Sequence, residues 1–195
     1  MTPSVATLTI VGISPYSQSR MHDEPKLDGE AADAHDLRTW RHKMNVDTRN
    51  GKTLVVIPAH GVQQTLAAAA KYSKRQIPGQ GKATWTAKFS AGIGIFEDPA
   101  TDVLAKNVRM IAISANADGI RGSGKRVIRR FPIVPPGWQS VFDVHILDPI
   151  ITEAVFREMV ALAGMFIGIG RFRPEKGGTN GRFNIAHLSW ADNRK

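Results

Sequence analysis

The chain has 195 residues, with 26 Lys and Arg against 17 Asp and Glu, a formal net charge of +9 and a pI near 10.2, a charge balance that suits a phosphate-bearing partner. It contains no cysteine, which excludes disulfide scaffolds, thiolate metal sites and cysteine nucleophiles. A hydrophobic share of 42% supports one ordinary core, while the lack of any window of roughly 18 apolar residues and of a leader-like start at residues 1–14 gives the expectation of a soluble, cytoplasmic protein with no membrane partner.

Residues 5–13 are β-branched and end at Ser14-Pro15, so they read as a first strand with Leu8 and Ile10 on one face. Residues 16–51 turn polar and charged and offer one short helix, around 31–43, in what reads as an inserted excursion. A short apolar strand at 53–57 is broken by Pro58 and feeds, through Pro58-Ala-His60-Gly61, a segment of high helix propensity at 62–72. Residues 73–107 are rich in Lys, Gly and Pro and read as a second excursion, with a strand expected at 84–89. Two β-rich runs, 108–115 and 127–134, flank the turn-forming and basic Asp118-Gly-Ile-Arg121-Gly-Ser-Gly-Lys125-Arg126, which predicts a long antiparallel hairpin with a cationic tip. Another strand follows at 140–147, and Asp148-Pro149 reads as the N-cap and first turn of a helix. Ile151, Val155, Met159 and Leu162 give that helix one apolar face. A last strand is expected at 182–190. Without its excursions, at about 16–51 and 73–107, the order describes one α+β domain close to a βαββαβ ferredoxin-like or RRM-like core.

Between the last helix and the last strand, residues 166–183 collect five glycines, the cations Arg171, Arg173, Lys176 and Arg182, and three phenylalanines. Glycine lets main-chain N–H groups approach a phosphate, Arg supplies a forked charge and Phe a stacking face, so this loop reads as a surface for a polyanion. The alternative is a hairpin turning at 176–180 with Phe172 and Phe183 in the core and its arginines merely solvated. Tyr16, Trp40, Trp85, Phe89, Phe172 and Phe183 lie in or beside cationic stretches; a base stacked on one contributes about 1–3 kcal/mol, although burial is the commoner role for any single ring. Trp138, Trp190, His145 and His187 are assigned to packing. Asp23, Glu24, Asp28, Glu30, Asp33 and Asp36 crowd the first excursion with His22, His35 and His42. That raises a metal-dependent nuclease as one reading, but solvated acidic loops are far commoner than active sites. The sequence has no Gly-x-Ser-x-Gly elbow, Walker loop or dinucleotide fingerprint, and no cofactor is expected.

The strand ending in Gly12-Ile-Ser-Pro15, the Ile57-Pro58-Ala-His60-Gly61 entry into a helix, and the late Gly168-Ile-Gly170-Arg171…Gly178-Thr-Asn-Gly181-Arg182-Phe183 together resemble the RAMP superfamily, the RRM-fold proteins of CRISPR systems. The match is best to the Cas-seven-type backbone subunits, and its motifs touch about a third of the chain. The resemblance implies a non-catalytic subunit that coats a guide RNA in multiple copies, beside other effector subunits, and supports pairing with a complementary DNA or RNA target. It implies RNA contact at His60, Gly61 and Gln64 and at Gly168, Gly170, Arg171, Arg173, Lys176, Gly178 and Arg182, and the hairpin tip adds Arg121, Lys125 and Arg126. In such proteins the insertions form a web and a thumb; residues 16–51 take the web position, while either 73–107 or the hairpin at 121–130 supplies the thumb. Where such subunits cleave target RNA, a loop aspartate after the first strand does so, and Asp23 or Asp28 is its counterpart. The chain departs from the pattern in being short and in carrying Pro174-Glu175 inside the loop. A single-stranded DNA-binding or annealing protein of a phage or plasmid is the alternative from the same basic groove, and the metal-dependent RNA nuclease is a second.

Overall fold

A computed structural model describes residues 3–116, 124 and 126–192. The expected contact residues Arg121 and Lys125 lie outside the described residues. In chain order the elements are β1 (Ser4–Gly12), β2 (Tyr16–Ser17), α1 (Ala32–Thr39) with a 3-10 turn at Trp40–Lys43, β3 (Val46–Arg49), β4 (Lys52–Val56), α2 (Ala59–Ser73), α3 (Trp85–Ala91), β5 (Ile93–Gly94), β6 (Ala100–Leu104), β7 (Arg109–Asn116), β8 (Arg126–Val134), β9 (Gln139–Ile146), α4 (Glu153–Leu162) and β10 (Phe183–Ala191). This is an α+β fold whose strand pairings are all antiparallel.

β1 alternates strictly, burying Ser4, Ala6, Leu8 and Ile10, the period-2 signature of a strand with one face on a core. It runs between β10 and β9, with Leu8 opposite Leu188 on one side and Phe142 on the other. The sheet continues through β6 and β4 to β3, and β5 also pairs with β9. The core lies between this sheet and α2, α3 and α4, where Phe89 stacks on Phe156 at 6.4 Å between ring centroids. β2, β8 and β7 form a separate three-stranded sheet; the expected hairpin is therefore present, but outside the main sheet.

Three local readings are corrected. Residues 84–89 were expected as a strand and instead open α3: Trp85 and Phe89, four apart, are 2% and 0% exposed on one side of a short helix packed on α2. Tertiary burial at i, i+4 overrides the β preference of Thr and Trp. Asp148-Pro149 does not cap α4. Asp148 accepts the Ile150 N–H in a turn and pairs with Lys88, and the cap is Thr152, whose hydroxyl accepts from the Val155 N–H. The first excursion also contains β3, which joins β4 through Asn50-Gly51 with φ of 51° and 72°, the two left-handed residues of a tight hairpin turn.

The acidic excursion folds back on its own chain. The Asp36 carboxylate, on a residue only 4% exposed, accepts the Arg130 backbone N–H at 2.7 Å and the Lys43 ammonium at 2.5 Å, while Asp33 takes the Arg130 guanidinium in a two-pronged bond. α1 is thus tied to β8. Around it, Arg38 bridges Glu24 and Glu30 and holds the Glu30 carboxyl down to about 2; Arg130 likewise lowers Asp33. His22 packs beside His35 and meets His42 edge-on, and its burial, with the nearby charges of His42, Lys43 and His35, pulls its pKa below the usual value. A base with a lowered folded pKa stabilises the fold fully above about 6.5, its unfolded value, and loses that contribution as pH falls through the folded pKa. The lowered carboxylates of Glu30 and Asp33 stabilise above the ordinary carboxylate range and lose their contribution only as pH falls through their lowered values. Hydrogen exchange should therefore show residues 22–43 loosening in two stages on acidification, the first below about pH 6.5 and abolished by His22→Gln. A single stage confined to the carboxylate range would contradict this.

Among the described residues no helix is long and apolar enough to cross a membrane.

Candidate nucleic-acid interface

The strand-to-helix junction at residues 56–62 and the glycine loop at 168–181 meet on one side of the molecule. Pro58 ends the strand and starts α2, its carbonyl accepting the N–H groups of Gly61 and Val62. The positive end of this 15-residue helix therefore opens toward the loop. The loop is laced to the chain after β1: Gly181 N–H donates to Pro15 O, Arg171 N–H to Ser17 O, and Ile169 N–H to Gly181 O. Two glycines are required by that lacing. Gly170 has φ +77° and a Cβ there would meet the Tyr16 ring and the Ser17 carbonyl; Gly181 has φ +75° and a Cβ there would meet the Ile169 backbone.

Between them lies a cleft of about 740 Å³. His60, Gly61 and Gln64 line it from α2, and Gly170, Arg171, Arg173, Lys176 and Gly178 from the loop, so eight of the expected contact residues are brought together. The excursion closes the third side with Gln18, Arg20 and Asn45, none of which sequence reasoning singled out. The signal for Gln18 and Arg20 was position, shortly after β1, and Asn45, next to β3, carried none. Gln18 is a clamp: its amide donates to the Tyr16 hydroxyl and the Val56 carbonyl and accepts the Asn45 N–H. Burial pushes the Tyr16 pKa up, so the hydroxyl stays neutral in that network.

Among the described residues four cations and no carboxylate line the cleft. Arg171 sits over two rings, its guanidinium carbon 4.0 Å from the Phe131 centroid and 4.8 Å from that of Phe172. Its Nε is buried without a hydrogen-bond partner among the described residues, and burial lowers its pKa without discharging a guanidinium. Phe172 holds φ +59° and meets Phe131 edge-on, so it joins the loop to β8 while also lining the cleft. Arg173 is bonded by Glu175 at 2.8 Å, which also lies 3.7 Å from Lys176. A phosphate must compete with that carboxylate. Glu175→Gln should accordingly tighten binding of a single strand several-fold at low salt and steepen its salt dependence; fluorescence anisotropy across a salt series checks this, and unchanged affinity would mean that Arg173 makes no phosphate contact.

The other expected residues lie elsewhere. The Gly168 carbonyl accepts the Thr65 hydroxyl beneath the cleft. Arg182 turns to the back of the loop, donating from Nε to Met165 O and from its backbone N–H to Ser14 Oγ. Arg126 bonds Ser114 across the hairpin. Asp23 and Asp28 are exposed, and among the described residues no three His, Asp or Glu side chains converge so as to hold a metal ion. Of the rings weighed for stacking, Tyr16, Trp85, Phe89 and Phe183 are buried and Trp40 carries Arg41 at 4.4 Å. Trp138 packs in the core and Trp190 against it, whereas His187 is exposed and His145 stacks on Phe96.

The sequence matches no protein-family profile, and no curated protein matches it. Solved structures do. The fold is similar to a chain in the cryo-EM structure of the type III-B Cmr-β bound to cognate target RNA, with a TM-score of 0.51 at 11% identity over 98% of this chain and 61% of that one. Weaker likenesses are to Cmr6 from Pyrococcus furiosus, with a TM-score of 0.49, 13% identity and coverage of 94% and 98%, and to a chain of a CRISPR RNA-guided surveillance complex, with a TM-score of 0.41, 10% identity and coverage of 91% and 65%. This chain thus spans 61% of the length of the Cmr-β chain it resembles. At 11% identity this is a likeness of fold.

Proposed function

We propose that this chain is a non-catalytic RNA-binding subunit that coats a guide RNA in multiple copies within a CRISPR effector complex. The observation that carries the reading is the cleft: among the described residues four cations and no carboxylate, with a helix N-terminus and a glycine loop, on a Cmr-like fold. Such a site neutralises phosphates without reading bases, as a subunit serving any guide must. An RRM-like core is supported by strand order, since β10, β1, β9 and β5 neighbour one another with α2 and α4 as the two crossover helices. On this reading residues 16–51 are one insertion and β7 with β8 the protruding part of a second. The nuclease alternative is disfavoured because Glu24, Glu30, Asp33 and Asp36 are engaged by Arg38, Arg130 and Lys43.

Anisotropy with a single-stranded RNA of about 30 nucleotides at low salt should show binding, and equal competition by DNA of the same sequence would shift the reading to the DNA-binding alternative, because the 2′-hydroxyl is what separates the two polymers. Mass photometry with strands of increasing length should show steps of one protomer. A mass fixed at one or two subunits would remove the coating role.

A further inference from the structure

A second surface adjoins the cleft at the far end of α2. The helix positions that line the cleft, Gln64 and Thr65, continue on the same face as Ala68, Lys71 and Tyr72, following the i, i+3, i+4 stripe of one helix side. The opposite rail is the turn Pro174–Lys176, which has Lys176 in the cleft and Glu175 on the second surface. Tyr72 on that surface stacks on Phe166 at its edge, at 5.2 Å and 21°, the two rings remaining 53% and 46% exposed. Two large rings stacked face to face in water are not core packing. Beside them Lys71 and Lys74 are exposed, and their ammonium groups have no ion-pair partner among the described residues. Arg75, by contrast, is taken by Glu158.

We propose that this is a stacking platform for the flank of the same single strand, which leaves the cleft over the Pro174–Lys176 turn and lays one or more bases on Tyr72 and Phe166 while Lys71 and Lys74 meet its phosphates. The proposal rests on the reading of the cleft as a strand-binding site. Ring faces beside unpaired cations are the combination that single strands use without sequence preference, and charge complementarity selects a polyanion over an apolar partner. From Gln64 to Tyr72 the helix advances about 12 Å, so the platform is reached only by a strand longer than the cleft requires.

The test uses single-stranded RNA of about 5 and about 14 nucleotides, bracketing short and long sites. The unaltered protein should bind the longer strand more tightly. Tyr72→Ala with Phe166→Ala should lose about 5- to 100-fold on the longer strand for one base unstacked and nothing on the shorter. Lys71→Glu with Lys74→Glu, at exposed positions where folding is undisturbed, should flatten the salt slope for the longer strand by about 1.4 or more and leave the shorter unchanged. If both variants bind the longer strand as the unaltered protein does, the platform does not hold nucleic acid; a protein docked there would give that result. If the unaltered protein fails to bind the shorter strand, the cleft reading itself is lost and the platform with it.

Discussion

Asp36→Ala should lower the stability of the protein by about 3–5 kcal/mol, the effect of removing one partner from a buried ion pair. Among the described residues the carboxylate is the group that accepts from both the Arg130 N–H of β8 and the Lys43 ammonium, which also donates to the Arg130 carbonyl. The Lys43 side chain is 11% exposed, so after truncation its charge keeps little access to water, and the β8 N–H is left buried without an acceptor, itself costing about 1–3 kcal/mol. Against a typical total of about 5–15 kcal/mol, this loss would detach the excursion or unfold the chain. Asp33→Ala should do little by comparison, because the Asp33 carboxylate is 60% exposed and solvent screens it. Replacing the pair together, Asp36→Leu with Lys43→Met, should recover part of the loss, since no uncompensated charge remains. Urea unfolding of the three variants tests this; an unchanged midpoint for Asp36→Ala would show that solvent reaches Lys43.

That ion-pair cluster also marks where the sequence stopped being legible. The spacing of Leu8 and Ile10 and of Val155, Met159 and Leu162 encodes a local periodicity and the Pro58 break marks a helix start, and β1, α4 and α2 follow from them, although Ile151 lies before the Thr152 cap. The acidic run at 22–36 carries no such period. Its charges read as a solvated loop or a metal-dependent nuclease centre, whereas Asp33 and Asp36 close on Arg130 of the same chain, a contact 94 residues distant for Asp36. Only folding supplies that juxtaposition. The missed hairpin at Asn50-Gly51 is different, because Asn-Gly is a strong local turn signal and was masked by the polar strands on either side. At the site, the loop and the α2 entry were legible because glycine and cation spacing is itself the chemistry. Arg20, Gln18 and Asn45 were not, since they reach the cleft through the return of the excursion onto β4. Arg182 shows the converse: a cation in the right motif turns its side chain to Met165, because β10 begins at the next residue and sets its direction.

Arg171→Ala combined with Arg173→Ala should weaken single-strand binding by about 100-fold or more at low salt, given about 1.5–3 kcal/mol for each charged hydrogen bond. The loss should be nearly equal for all base sequences, because phosphate contacts position a strand without reading it. Each neutralised phosphate contributes about 0.7 to the slope of log K against log salt for a single strand, so the slope should flatten by roughly 1.4. The two arginines can be separated. Arg173 already shares its fork with Glu175, so Arg173→Ala alone removes a partly neutralised charge and gives the smaller effect. Arg171 is held over Phe131 with Nε buried, which restrains the remaining donors of the guanidinium before the strand arrives and saves ordering entropy on binding. Arg171→Lys keeps the charge but not the planar face, so it should retain the salt slope while recovering only part of the affinity. If Arg171→Lys instead binds as the unaltered protein does, the stacking on Phe131 serves the fold alone; if the double alanine variant keeps the full slope, both guanidinium groups lie off the path of the strand.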